Sequence, residues 1–323
     1  MRSSDSHPLV SSATQPSTAV SPADWSEPGI GHNWQYRFFH RLMRFGGIIR
    51  GYHMANIVSF GYVMFYPSVR RRCGYYLNRR FPGKRGSIRR LFDVYRLVRA
   101  YAESLVDAMV IDLFPGALAA TCPDHDQLCK LAEGERGFVL VHAHVGCWQA
   151  GVSTLKQFPK NVAIVMLPEA RSATLFDPRR STAIDPRGGL QGTMQMTEAL
   201  LRGDILVMMG DRSFGNRHSM APARFLGADV SLPITPFRLA SAVGVPVVVM
   251  TAPKTGGRSY ELRVSKIIDV QPGLGRNSRD YAQYAQRFAD CMEEFVRDYP
   301  WQFYNFYDMW SVGEPPIAGD REA

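Results

Sequence analysis

The chain has 323 residues, of which 46% are apolar and 21% charged, enough apolar material for a sizeable core and unlike a disordered or collagen-like composition. Its formal charge of +9 is concentrated: residues 37–99 hold fifteen Arg or Lys against the single acid Asp93, a local +14 that leaves −5 for the remainder. Such asymmetry asks for a polyanionic partner, which a nucleic acid, an anionic membrane surface or an acidic carrier protein would each satisfy.

Residues 1–24 are mostly Ser, Thr, Pro and Ala, with too few large apolar groups to offset the entropy of ordering them, and residues 1–33 are expected to form a flexible tail. They contain neither a charged-then-apolar start nor a cleavage-site pattern, so no export is expected. The five cysteines, at 73, 122, 129, 147 and 291, form no C-x-x-C pair and lack His partners at zinc spacing. They read as reduced thiols in a reducing compartment, with no metal.

Residues 34–112 read as a basic, aromatic helical region for membrane association. From Trp34 to Tyr66 apolar side chains are dense, but Arg44, Arg50 and His53 interrupt every window of the ~20 residues that a bilayer span requires. An interfacial helix is expected instead. The basic run continues through Arg70, Arg71, Arg72, Arg79 and Arg80 with Tyr75, Tyr76 and Phe81 interleaved, pairing cations for lipid phosphates with rings for the interface. A solvated basic helix face is the plainer alternative. A nucleic-acid partner is not expected, since no RNP sequence, zinc finger or basic zipper is present.

Residues 113–310 change texture, and residues 311–323 are expected to be a C-terminal tail. Short continuous apolar runs at Phe138–His142, Val162–Leu167, Ile205–Gly210 and Pro246–Thr251 predict strands buried on both faces. Helical periodicity covers Thr193–Arg202 and Ser278–Tyr299, the latter stopped by Pro300. The expected fold is α/β, with a mainly parallel central sheet flanked by helices and the N-terminal basic arm attached. There is no internal repeat.

Ligands of open parallel sheets gather beyond the carboxyl ends of the strands, which directs attention to two segments. One is His142-Ala143-His144-Val145-Gly146-Cys147-Trp148-Gln149; the other is Gly210-Asp211-Arg212-Ser213-Phe214-Gly215. His144, at the strand exit, suits a general base, while His142, still inside the strand, suits a packed role equally well. A metal site built on His142 and His144 lacks a third ligand, a nucleophilic Cys147 competes with a buried apolar one, and no G-x-G-x-x-G follows the strand.

The Phe138–Gln149 pattern of strand, His, x, Gly, x and Trp resembles the bacterial lipid A late acyltransferases and their relatives in the lysophospholipid acyltransferase superfamily. Gly210-Asp211-Arg212, Phe225-Leu226-Gly227 with Leu232-Pro233, Phe237-Arg238-Leu239-Ala240, and Tyr299-Pro300-Trp301-Gln302-Phe303-Tyr304-Asn305-Phe306 resemble further blocks of that family. The resemblance runs from about Trp34 to Trp310. It implies His144 as the catalytic His, followed five residues later by an acid; here that position is Gln149. Either Gln149 orients the imidazole without charge, or another acid supplies the charge, for which Asp211 is the candidate.

The resemblance further implies acyl transfer from an acyl carrier protein or coenzyme A thioester to a hydroxyl or amine of a lipid acceptor, with no cofactor. His144 would take the acceptor's proton, backbone N–H groups of Val145 to Cys147 would hold the oxyanion, and Arg212 would clamp a phosphate. Gly146, Cys147, Trp148 and Arg212 are the expected substrate-binding residues. The expected location is the cytoplasmic face of the bacterial inner membrane, held peripherally by anionic lipid. A catalytically inactive lipid- or acyl-carrier-binding protein and a metal-dependent hydrolase remain as alternatives.

Overall fold

The computed structural model describes residues 33–83, 85–155, 158–167, 179–212 and 219–310. The tails expected at the two ends therefore lie outside the described residues, apart from Asn33. Three helices come first: α1 (Asn33–Phe65), α2 (Pro67–Arg80) and α3 (Ser87–Leu113). Gly47 breaks α1 with a φ of 80°, a left-handed conformation open to a residue without a Cβ. Pro67 opens α2, where its fixed φ and missing N–H cost nothing. Met43 and Ala55 of α1 meet Val106, Met109 and Val110 of α3, and Cys73, Tyr76, Leu97 and Val98 carry α2 and α3 into the main core. No helix among the described residues is long and apolar enough to cross a membrane.

The α/β part follows as β1 (Ala119–Thr121), α4 (His125–Ala132), β2 (Phe138–His142), α5 (Trp148–Thr154), β3 (Val162–Val165), β4 (Ser181–Ile184), α6 (Gly189–Leu201) and β5 (Ile205–Met209). It continues through β6 (Met220–Phe225), β7 (Ala228–Pro233), α7 (Thr235–Val243), β8 (Val247–Thr251), β9 (Ser259–Glu261), β10 (Arg263–Ile268) and α8 (Ala282–Asp298). The central sheet has six strands in the order β10-β8-β2-β5-β3-β4. Every neighbouring pair from β8 to β4 is parallel, and β10 closes one edge antiparallel to β8.

The continuous apolar runs are explained by burial on both faces. In β2, Val139 and Val141 face the cluster built with α7, α8 and the C-terminal segment, whereas Phe138 and Leu140 face the cluster with α4 and α5. All five residues of β2 and of β8 are buried. The α8 helix presents Tyr284, Ala285, Phe288, Ala289, Met292, Phe295 and Val296 on one buried stripe, at the i, i+3, i+4 spacing of a helix face. The fold is thus α/β with a parallel-rich mixed sheet and a helical N-terminal arm packed on it.

Candidate active site

Register places the site. β2 and β5 pair in parallel with His142 opposite Met209, so the chain two residues beyond each strand end brings His144 and Asp211 together although 67 positions separate them. The His144 ring nitrogen Nδ1 lies 2.9 Å from both Asp211 carboxylate oxygens, and the His144 backbone N–H donates to Oδ2 at 3.0 Å. A ring nitrogen facing a carboxylate carries the proton, which leaves Nε2 as the basic nitrogen. That atom has no partner among the described residues. The His144 side chain is 28% exposed and Asp211 is fully buried, so the imidazole meets solvent and the carboxylate does not.

Burial alone would raise the Asp211 carboxyl, but attraction to His144, the hydrogen bonds from its ring and backbone, and the nearby Arg212 guanidinium outweigh it and hold the carboxyl below its usual range. Asp211 is therefore an anion held in place at neutral pH. Arg212 donates from Nη2 to the Tyr304 carbonyl at 2.9 Å, and its guanidinium carbon lies 5.6 Å from the centre of the Tyr307 ring. Its Nε–H is buried and unpartnered, a donor left over beside the pair.

The remaining expected residues divide differently. Gln149 accepts a weak hydrogen bond from the Cys147 thiol at 3.6 Å and makes none to His144, so the ring's partner is the acid from β5 and the amide is elsewhere. The expected oxyanion donors are corrected: Val145 N–H donates to Ala143, Gly146 N–H to Gln302 and Cys147 N–H to Ala252, all to backbone carbonyls. Their hydrogen atoms are already engaged, and α5 has only seven residues.

Gly146 has φ of 58° and an added Cβ would stand 2.1 Å from the Ala252 carbonyl oxygen, so its residue type is set by close backbone approach. Cys147 is fully buried and its thiol is pushed up to about 12, chiefly by that burial, which leaves no thiolate for nucleophilic attack. Trp148 is half-buried against the cluster of α4 and α5.

His142 departs from its neighbour. Burial lowers its imidazole to about 4, against a backbone hydrogen bond with Met250 that acts in the opposite sense, so it stays neutral inside the sheet. Its ring faces Gly151 of α5 while that of His144 faces Asp211. The two imidazoles do not converge on one point.

Sequence reasoning did not single out a second polar cluster where the arm meets the core. Asp107 of α3, fully buried, accepts from the Tyr52 and Tyr260 hydroxyls and from Lys254 Nζ at 2.7 Å. Asp107, one of two acids in the otherwise apolar run Leu105–Leu113, was the signal available.

Comparison with known proteins agrees with the motifs. Residues 101–311 match the family described as bacterial lipid A biosynthesis acyltransferase, a span that includes His144, Asp211, Arg212 and the C-terminal segment. Among solved structures, the chain is similar to the crystal structure of the 1-acyl-sn-glycerophosphate (LPA) acyltransferase PlsC from Thermotoga maritima. Identity is 12%, coverage is 76% of this chain and 98% of that one, and the TM-score is 0.35. No curated protein sequence matches.

Proposed function

Because the chain belongs to the bacterial lipid A biosynthesis acyltransferase family, a family of lipid acyltransferases, we propose that it moves a fatty acyl group from an acyl carrier protein or coenzyme A thioester to a hydroxyl or amine of a lipid acceptor, with His144 as general base. The observation that carries this reading is the His144–Asp211 pair, with Nδ1 held on a buried carboxylate and Nε2 left open.

In this reaction Nε2 takes the proton of the acceptor O–H or N–H as its heteroatom attacks the thioester carbonyl. A C–O or C–N bond forms, giving a tetrahedral anion. Its collapse breaks the C–S bond, and the departing thiolate takes the proton back from the imidazolium. Asp211 stabilises that imidazolium and fixes the ring, so no covalent enzyme intermediate is needed. Arg212 is assigned as the donor to a phosphate of substrate, since a guanidinium matches phosphate oxygens at two points.

The same reading extends to location: peripheral attachment to the cytoplasmic face of the inner membrane, through the arm. Phe45, Ile49, Phe65 and Ile88 are 71–87% exposed, and Arg41, Arg44, Arg50 and Arg89 are exposed near them in sequence, the mixture that favours a lipid headgroup region. The inactive-scaffold alternative drew its support from the amide at Gln149, and Asp211 on the imidazole removes that motive. The decisive experiment is lipid mass spectrometry of cells carrying the wild-type protein or His144→Ala. An acylated lipid that appears only with the wild type, while the variant accumulates folded, is expected; equal acylation by both would overturn the assignment.

A further inference from the structure

The C-terminal segment from Pro300 to Trp310 has no regular helix or long strand, yet it touches both members of the catalytic pair. Val145 and Phe303 form an isolated antiparallel bridge. On either side of it, Gly146 N–H donates to the Gln302 carbonyl at 3.0 Å and Tyr304 N–H donates to the His144 carbonyl at 2.8 Å. The Gln302 side chain repeats the pattern on Lys254, accepting from its N–H at 2.8 Å and donating to its carbonyl at 2.9 Å. Three residues after Tyr304, the Tyr307 hydroxyl donates to the backbone carbonyl of Asp211 at 3.1 Å.

We propose that residues 300–310 form a positioning strap for the His144–Asp211 pair, and that Tyr307, acting through the Asp211 carbonyl, is a positioning residue of the reaction. This rests on the reading of His144 as the base. His144 is fixed at each of its backbone polar groups and at Nδ1: its N–H and ring go to Asp211, its carbonyl to the strap. Asp211 is fixed from its carboxylate by His144 and from its carbonyl by Tyr307. The hydroxyl of Tyr307 is pushed up to about 12, mainly by burial, so it remains a neutral donor.

Both ends of the segment are anchored away from the pair, which is what lets it resist displacement. Trp301 packs on Phe81 with the Arg96 guanidinium 4.4 Å above its ring. Trp310 stacks on Phe225, donates from its indole to the Phe225 carbonyl at 3.0 Å and carries Arg79 at 4.4 Å. Between the anchors Phe303 is fully buried. A base must be held to a fraction of an ångström for proton transfer, and a supporting layer of hydrogen bonds is the usual means.

The test compares Tyr307→Phe, which deletes one oxygen and keeps the ring, with wild type and His144→Ala in the same thioester assay. Tyr307→Phe is expected to lower kcat roughly fivefold to tenfold, the size of one hydrogen bond, with KM for the thioester unchanged and the melting temperature lower by only a few degrees, well above the assay temperature. In proton NMR the His144 Nδ1–H resonance should move upfield as the pair loosens. A dead His144→Ala beside a Tyr307→Phe protein with wild-type kcat and an unmoved resonance overturns the strap alone, as does a rate loss that merely follows a lower melting temperature. A fully active His144→Ala overturns the base and the strap with it. If Tyr307→Phe does not accumulate, Gln302→Leu removes the bonds to Lys254 and is held to the same outcomes.

Discussion

In the helical arm, Arg79, Arg80 and Arg96 lie on rings or carbonyls of the C-terminal part of the chain, whereas in the α/β core Arg212 keeps one guanidinium N–H buried and unused beside the His144–Asp211 pair. The arm is rich in charge and uses much of it internally. Arg80 closes two carbonyls at the end of α8, Val296 and Arg297, where a cation also meets the negative end of the helix dipole. The α/β part carries acids as well as bases, so its charges largely offset one another. The comparison teaches that a window of +14 is not +14 of free surface potential, and that a single unpartnered donor beside a buried acid is the more informative feature.

The sharpest way to break the comparison is to neutralise the placed acid. Asp211→Asn keeps the shape of the side chain but removes the charge that stabilises an imidazolium and, through the amide, offers the ring a donor in place of an acceptor. Loss of the corresponding acid in serine protease triads costs about 10⁴ in rate, so a fall of roughly 10³-fold or more in kcat is expected here. Single-turnover kinetics with a thioester donor would measure it, and a rate within tenfold of wild type would detach Asp211 from the chemistry.

A second test acts where arm and core meet. Lys254→Ala leaves the Asp107 carboxylate fully buried with only the Tyr52 and Tyr260 hydroxyls as partners, and breaking a buried pair on one side typically costs about 3–5 kcal/mol. Urea unfolding should show that loss, and a second substitution, Asp107→Asn, in the same chain should recover part of it. If Lys254→Ala is as stable as wild type, the arm is held to the core by the apolar contacts of α2 and α3 and not by this cluster.

These residues also mark what was legible in the sequence. The strands β2, β3, β5 and β8 could be read because burial on both faces writes a continuous apolar run, and each lies within two residues of its expected limits. The β6–β7 hairpin could not: Met220–Phe225 alternates buried and exposed residues, contains Pro222 and fills its inward positions partly with Ala, leaving little contrast. His144 and Asp211 were each visible as strand-end residues beside glycine. Their pairing was one of two readings, beside Gln149, and the choice between them depends on β5 lying next to β2, a strand order that composition does not encode. The oxyanion donors failed for a related reason, since Ala252 and Gln302, distant in sequence, satisfy those N–H groups first.

The arm's remaining charge gives a third, smaller effect. If exposed Arg41, Arg44, Arg50 and Arg89 meet anionic lipid while Phe45 and Ile49 enter the headgroup layer, binding to vesicles with anionic lipid should weaken with salt, because exposed charges are screened beyond ~8 Å at physiological ionic strength. Phe45→Ser should lower binding by roughly tenfold at any salt concentration, as expected for losing one exposed ring from the interface. Co-sedimentation that ignores both salt and Phe45→Ser would assign the basic window wholly to internal contacts.

The smallest effect concerns the position where the family resemblance leads one to look for an acid. Gln149 faces the Cys147 thiol and not His144, and a sulfur donor at 3.6 Å is a weak hydrogen bond. Gln149→Ala should therefore reduce kcat by no more than about threefold, a loss below that of one ordinary hydrogen bond. Gln149→Glu is the stricter variant, since it restores a carboxylate while Asp211 still occupies Nδ1 at 2.9 Å. With the ring nitrogen already paired, the added anion has no imidazole proton to accept, and kcat should not rise. An increase of tenfold or more in Gln149→Glu, measured beside Asp211→Asn, would mean that the side chain at 149 turns to the ring during turnover and that the two acids exchange the role which the register of β2 and β5 gives to Asp211.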